Sequence, residues 1–205
     1  MAAQIAPNQA PTFVAAIPTP TLGEGGSASV AFSTTIAASP TRCLEILLDP
    51  STYPTWNRWI PRVDVVSAST ASEAAVPELL AHVTRKPNQL LPGTQFDFEV
   101  HMSASNIRKT ELELSVLEEF ERNGRKGLRV CWKTRGNPWL APRAERVQEF
   151  LENVEGGCDY TNYETFHGPL TWAVKAFAGK QLRDGLTLWM NGLKAEAEAK
   201  PDSLE

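Results

Sequence analysis

Residues 168–200, GPLTWAVKAFAGKQLRDGLTLWMNGLKAEAEAK, decide the fold. Large apolar residues recur in this stretch at steps of mostly three or four, the spacing that puts side chains on one face of an α-helix. They are Leu170, Val174, Phe177, Leu182, Leu186, Trp189 and Leu193. Charged residues fall largely off that face. The stretch therefore predicts a long helix that buries one side against a wide apolar surface.

The preceding chain predicts that surface as a sheet. Residues 27–38 read as a first strand. Residues 40–48 read as a helix, and residues 51–63 as a second short helix or a pair of turns. After them, apolar and polar residues alternate over about six further segments joined by short turns, as in residues 94–103. One-sided strands with short turns favour an antiparallel sheet packed on one face, so we predict an α+β fold with about seven strands.

The N-terminal segment differs in composition from the rest of the chain. Residues 1–26 contain four prolines and three glycines and few large apolar groups. Such a segment buries too little surface to offset the entropy lost on ordering. We predict a flexible tail over residues 1–26 and a single domain over residues 27–200.

Charge and cysteine content exclude several classes of protein. The chain has 24 acidic and 20 basic residues, a net charge of -4, which disfavours nucleic acid as a partner. No apolar run approaches the roughly 20 residues that span a bilayer, so no integral membrane segment is expected. The three cysteines are too few and too scattered for a disulfide framework, and their odd number suits a reducing compartment. We therefore expect a cytoplasmic protein.

Four stretches resemble one superfamily. They are SPTRCLEILLDPSTYPTWNRWI at 39–60, GTQFDFEV at 93–100, ERVQEF at 145–150 and YTNYETFHGPLTWAVK at 160–175. In this order they resemble the helix-grip proteins of the SRPBCC superfamily, which includes birch-pollen allergens, START lipid-transfer domains and polyketide cyclases. The resemblance implies a curved antiparallel sheet wrapped around the C-terminal helix, with an apolar cavity between them. It does not select one function, because members include both carriers and enzymes.

The strand CDYTNYETFH, residues 158–167, contains the candidate catalytic residues. Tyr160, Asn162 and Glu164 alternate on one face with Cys158 and Phe166, and we expect this face to line the cavity. Glu164 would act as a general acid or base, and Tyr160 would assist in moving the proton. If the hairpin turns about Gly156, Arg146 lies opposite Phe166 and diagonal to Glu164. The alternative is that Arg146 and Glu164 form a structural ion pair.

Aromatic and apolar side chains supply the candidate ligand-binding wall. Flat or polycyclic ligands suit such walls, although the same residues could simply fill the core. Together with Arg146 and Asn162, the predicted ligand-binding residues are Trp56, Asn57, Phe96, Phe98, Met102, Trp132, Trp139 and Phe177.

Three functions remain open. The first is a cyclase, dehydratase or isomerase of a biosynthetic pathway that binds a small hydrophobic molecule. The second is a non-catalytic carrier or store for a lipid-like ligand. The third, suggested by hormone receptors of the superfamily that the chain resembles, is a module that regulates another protein through its loops. No metal-binding, nucleotide-binding or serine-nucleophile motif is present, so none of these hypotheses invokes a cofactor or a metal.

Overall fold

The computed structural model describes residues 5–69, 76–136, 143–169, 171, 176 and 178–199. Within these residues the strands form one antiparallel sheet of eight, in the order β1-β2-β8-β7-β6-β5-β4-β3. The strands are β1 (Thr12–Val14), β2 (Ala28–Ile36), β3 (Arg62–Ser67), β4 (Gln95–Ser103), β5 (Asn106–Arg122), β6 (Arg125–Thr134), β7 (Arg143–Glu152) and β8 (Cys158–His167).

Short helices lie between β2 and β3 and between β3 and β4, and a long helix ends the described chain. They are α1 (Pro40–Leu48), a 3₁₀ turn (Pro50–Thr52), α2 (Tyr53–Trp56), a 3₁₀ helix (Glu78–Arg85) and α3 (Gly179–Ala199). Ser39 caps α1, because its side chain accepts a hydrogen bond from the Arg42 amide. The α+β helix-grip architecture is thereby confirmed, with one strand more than the seven predicted.

The inner face of the sheet and helix α3 enclose the main core. Leu182, Leu186, Trp189 and Leu193 of the predicted stripe are all buried against the sheet and the short helices. Leu170, Val174 and Phe177 lie outside the described residues. Register shifts in β3, β4 and β5 mark bulges, and bulges bend strands, so they help the sheet to curve around the helix.

The prediction of a flexible tail is wrong for residues 5–26. Strand β1 pairs with β2, and Ile17 packs with Ala31, Cys131, Val147 and Tyr163 in a second apolar cluster on the outer face of the sheet. We call residues 5–26 the N-terminal strap. Because the strap covers this face, the middle of β7 is buried on both sides, and the sheet is not one-sided there as predicted.

A buried carboxylate holds the strap in place. Glu145 on β7 accepts hydrogen bonds from the Thr21 amide (3.0 Å), the Thr21 hydroxyl (2.8 Å), the Leu22 amide (3.0 Å) and the Ser115 hydroxyl (3.0 Å). Burial alone would raise the pKa of Glu145, but the hydrogen bonds from the strap outweigh that effect and hold the pKa below its ordinary value.

Glu145→Gln should therefore destabilise the protein in a pH-dependent way. The amide side chain loses the charge and turns an NH₂ group toward donors, which we expect to cost about 2 kcal/mol at pH 7. A carboxyl group with a lowered native pKa stabilises the fold above its ordinary pKa of about 4.3, and this contribution disappears as the pH falls through the native pKa. Urea unfolding at pH 7 and at about pH 3.5 tests this. If the variant lost the same unfolding free energy at both pH values, the predicted pH dependence would be contradicted.

Two glycines let helix α3 approach the segment that contains Trp56 and Trp59. A Cβ atom on Gly185 would lie 2.2 Å from Cε2 of Trp59, and one on Gly192 would lie 2.2 Å from the carbonyl oxygen of Trp56. Neither distance is sterically possible. Glycine, which costs a helix roughly 1 kcal/mol relative to alanine, is therefore required at both positions for close packing.

Gly192→Ala should destabilise the protein by about 2 kcal/mol, because the added methyl group meets backbone that cannot move aside easily. Gly179→Ala is the matched control in the same helix, since its nearest neighbour would be Cε2 of Phe13 at 3.2 Å. Thermal unfolding of both variants measures the effect. If Gly192→Ala were as stable as Gly179→Ala, the proposed tight contact would not exist.

Candidate functional site

A cavity of about 130 Å³ lies between the sheet and the beginning of α3. Strands β4 to β8 and helix α3 contribute to its wall, together with the loop after α2. The described residues that line it are Trp59, Ile60, Phe98, Val100, Met102, Thr110, Leu112, Trp132, Thr134, Ala144, Arg146, Glu164 and Leu182. The described part of the wall is thus mostly apolar and aromatic, with a single pair of charged side chains.

Next to the cavity, the space between sheet and helix is packed with apolar side chains, and aromatic rings form its centre. Trp189 is completely buried, and its ring lies within 6.2 Å, centroid to centroid, of four others. These neighbours belong to Tyr53, Trp56, Phe98 and Trp132. The space available to a ligand is therefore restricted to one end of the sheet–helix interface.

Arg146 and Glu164 form the charged pair of the wall. Oε2 of Glu164 accepts hydrogen bonds from Nη2 (2.7 Å) and Nε (3.2 Å) of Arg146. The two residues are directly opposite each other on β7 and β8, not diagonal as predicted. The prediction centred the turn on Gly156, but the Asn153 side chain accepts from the amides of Glu155 and Gly157 and centres it on Glu155. Moving the centre of the turn by one residue moves the partner of Arg146 by two, from Phe166 to Glu164, so the predicted face is still correct.

The guanidinium group of Arg146 is also held by two indole rings. Its central carbon lies 5.3 Å from the ring centroids of both Trp59 and Trp189. A guanidinium stacked on aromatic faces gains cation–π attraction when it is desolvated. The ion pair and the two rings together fix Arg146 in one position at the border between the solid aromatic core and the cavity.

Tyr160 lies in a buried hydrogen-bond network next to the cavity, and it is absent from the described cavity wall. Its hydroxyl donates to Oε1 of Gln148 (2.6 Å) and accepts from the Asn162 amide (2.8 Å) and from Nε1 of Trp189 (3.0 Å). Burial raises the pKa of Tyr160 well above its ordinary range, in spite of the hydrogen bonds that Asn162 and Trp189 donate. All of its hydrogen-bonding capacity is used within the protein.

The structure divides the predicted site residues into three groups. Five of them line the cavity, namely Glu164, Arg146, Phe98, Met102 and Trp132. Five others are buried outside its described wall, namely Tyr160, Asn162, Trp56, Asn57 and Phe96. Trp139 and Phe177 lie outside the described residues.

Asn57 illustrates why a polar residue in an aromatic segment need not belong to a site. Its side-chain oxygen accepts from the amides of Trp59 (3.2 Å) and Ile60 (2.8 Å). It thus closes the turn after α2 and directs Trp59 toward the cavity wall. Val100 and Leu112, which also line the cavity, were not predicted as ligand-binding residues. The alternation of β4 could have identified Val100, which lies between Phe98 and Met102 on the same face.

Comparisons with known proteins identify the fold. No model of a protein family matches the sequence, and no curated protein matches it. Among solved structures, a START superfamily protein from Mycobacterium smegmatis is similar over 83% of this chain and 97% of its own, with a TM-score of 0.55 and 12% identity. Ara h 8.0201 is similar over 84% of this chain and 98% of its own, with a TM-score of 0.51 and 10% identity.

A third similar structure is the di-domain ARO/CYC BexL from the BE-7585A biosynthetic pathway. It covers 86% of this chain and 50% of its own, with a TM-score of 0.52 and 13% identity. At such low identities these similarities show the fold alone. The chain has the START-like helix-grip fold. Across the part of the chain that the structure describes, no helix combines the length and apolar character needed to cross a bilayer.

Tyr160→Phe tests whether the Tyr160 hydroxyl is structural. The substitution removes the hydroxyl and leaves the buried N–H groups of Asn162 and Trp189 without this acceptor, so we expect a loss of about 2 kcal/mol in unfolding free energy. Chemical denaturation measures the loss. An unchanged stability would show that the network contributes little, and Tyr160 would again be a candidate for chemistry.

Proposed function

We propose that the protein binds a small hydrophobic molecule in the cavity and acts as a non-catalytic carrier or store for it. The observation that supports this most directly is the composition of the wall: apolar and aromatic side chains surround one ion pair whose charges neutralise each other. Ligand sites of this kind are mostly apolar with a few placed polar groups.

The size of the cavity limits the ligand. A volume of about 130 Å³ is below the range of roughly 300–1,000 Å³ that holds drug-sized ligands. It is close to the roughly 150 Å³ of an engineered apolar cavity that binds benzene. A ligand of about one ring therefore fits the described cavity, which is smaller than a typical lipid requires.

Two features argue against proton transfer as the main role. The Tyr160 hydroxyl is fully engaged within the protein, and the Glu164 carboxylate is bound by Arg146. A general acid or base needs a group that reaches the reacting atom. Of the two predicted catalytic residues, only Glu164 borders the cavity.

An enzyme of the cyclase, dehydratase or isomerase type is the second candidate. The observation in its favour is that the Glu164 side chain lines the cavity and is 16% exposed. If Glu164 transfers a proton, Glu164→Gln should lower the turnover number of the natural substrate at least about a hundredfold while the protein stays folded. Conversion of a bound molecule at an unchanged rate in the variant would remove Glu164 from any mechanism.

Filling the cavity tests the proposed binding function. Ala144 lies on the wall, so Ala144→Leu should place its larger side chain in the empty space. Ala144→Ser adds only one oxygen atom, leaves the cavity volume nearly unchanged and serves as the control. We expect mass spectrometry of organic extracts to find one small molecule bound to the purified wild type and to Ala144→Ser. Its amount should fall at least about tenfold in Ala144→Leu, provided that this variant unfolds cooperatively as the wild type does. Equal amounts in both variants would show that the molecule binds elsewhere.

A further inference from the structure

We infer that the ligand of the cavity is an uncharged molecule of about one ring that carries a hydroxyl group, and that this hydroxyl donates a hydrogen bond to Oε1 of Glu164. The inference deepens the proposed function and rests on it, because it names the class of ligand for the same cavity.

The two oxygens of the Glu164 carboxylate are used unequally. Both hydrogen bonds from Arg146 converge on Oε2, at 2.7 and 3.2 Å. Among the described residues, no group donates a hydrogen bond to Oε1. An ionised carboxylate oxygen only accepts hydrogen bonds, so the complementary group on a ligand is an O–H or N–H donor.

Glu164 is the more accessible member of the pair. Its side chain is 16% exposed, whereas that of Arg146 is 7% exposed and enclosed by Trp59 and Trp189. Nη1 of Arg146 also has no hydrogen-bond partner among the described residues, but this atom is fully buried, so a ligand in the cavity reaches the carboxylate more readily than the guanidinium. This favours a hydrogen-bond donor on the ligand over a carbonyl or carboxylate acceptor.

The charges of the pair disfavour a ligand that is itself charged. Arg146 and Glu164 together are neutral, so a charged ligand would bring an unpaired charge into a mostly apolar space. An ammonium group would be repelled by Arg146 nearby, and a carboxylate would be repelled by Glu164 itself. A neutral hydroxyl supplies the donor without this cost.

The remaining wall accommodates a ring. Phe98, Trp132 and Met102 face the same space as Glu164, and a thioether and aromatic faces pack well against a flat ring. The cavity volume of about 130 Å³ agrees with a single ring and one small substituent. Phenol is thus the simplest probe that contains every recognised feature.

The test compares phenol with toluene, which has the same number of non-hydrogen atoms and no donor. Isothermal titration calorimetry at pH 7 should show that wild-type protein binds phenol at least as tightly as toluene. In Arg146→Met/Glu164→Leu, which removes both charges together, the phenol-to-toluene affinity ratio should fall at least about tenfold, because the hydroxyl would be buried without a partner.

Two further variants keep the test decisive. Arg125→Gln/Asp159→Asn removes an ion pair on the outer face of β8 and should leave the affinity ratio as in wild type. Glu164→Gln, a smaller change than the double substitution, should lower the ratio by about threefold or more, which covers the case that the double variant does not fold.

The outcomes separate the two proposals. Toluene binding with a phenol-to-toluene ratio that is the same in wild type and in the Glu164 variants would overturn the hydroxyl assignment and leave the binding function intact. Failure of wild-type protein to bind either probe would overturn the one-ring binding function itself, and the inference with it.

Discussion

The contact between helix α3 and the aromatic residues beneath it is the constraint on which the rest of the structure depends. Trp189 is fully buried among Tyr53, Trp56, Phe98 and Trp132, and Gly185 and Gly192 allow the helix to approach closely enough for these rings to meet. A long helix buries its apolar side only if the facing surface fits it. Here the rings of Trp56 and Trp59 fit against the helix because α3 has glycine at the two positions that face them.

This packing also determines where a ligand can bind. The rings around Trp189 fill most of the interface, and the described cavity begins where that cluster ends, at Trp59, Trp132 and Arg146. Arg146 belongs to both regions, since its guanidinium stacks on Trp189 and its ion pair borders the cavity. A change in helix position would therefore alter the core and the candidate site together.

The residues that hold the strap on the outer face of the sheet are adjacent in sequence to the residues that border the cavity on the inner face. Glu145 and Thr165, opposite each other on β7 and β8, hold the N-terminal strap on the outside. Arg146 and Glu164, the next pair, point to the inside. Neighbouring residues on a strand point to opposite faces, so the groups that anchor the strap lie directly behind the groups that border the cavity.

Sequence periodicity determined the strands after β1, the buried stripe of α3 from Leu182 to Leu193 and the inward face of β8, because these follow from local spacing. Tertiary structure decided the rest. The strap could not be predicted, because its order depends on Glu145 and on apolar residues more than a hundred positions away in sequence. The register of Arg146 with Glu164 depended on one turn. The position of the cavity depended on the packing of the rings around Trp189, two of which, Phe98 and Trp132, also line it. Alternation places a residue on the inner face, but only packing in three dimensions decides whether it borders empty space or fills the core.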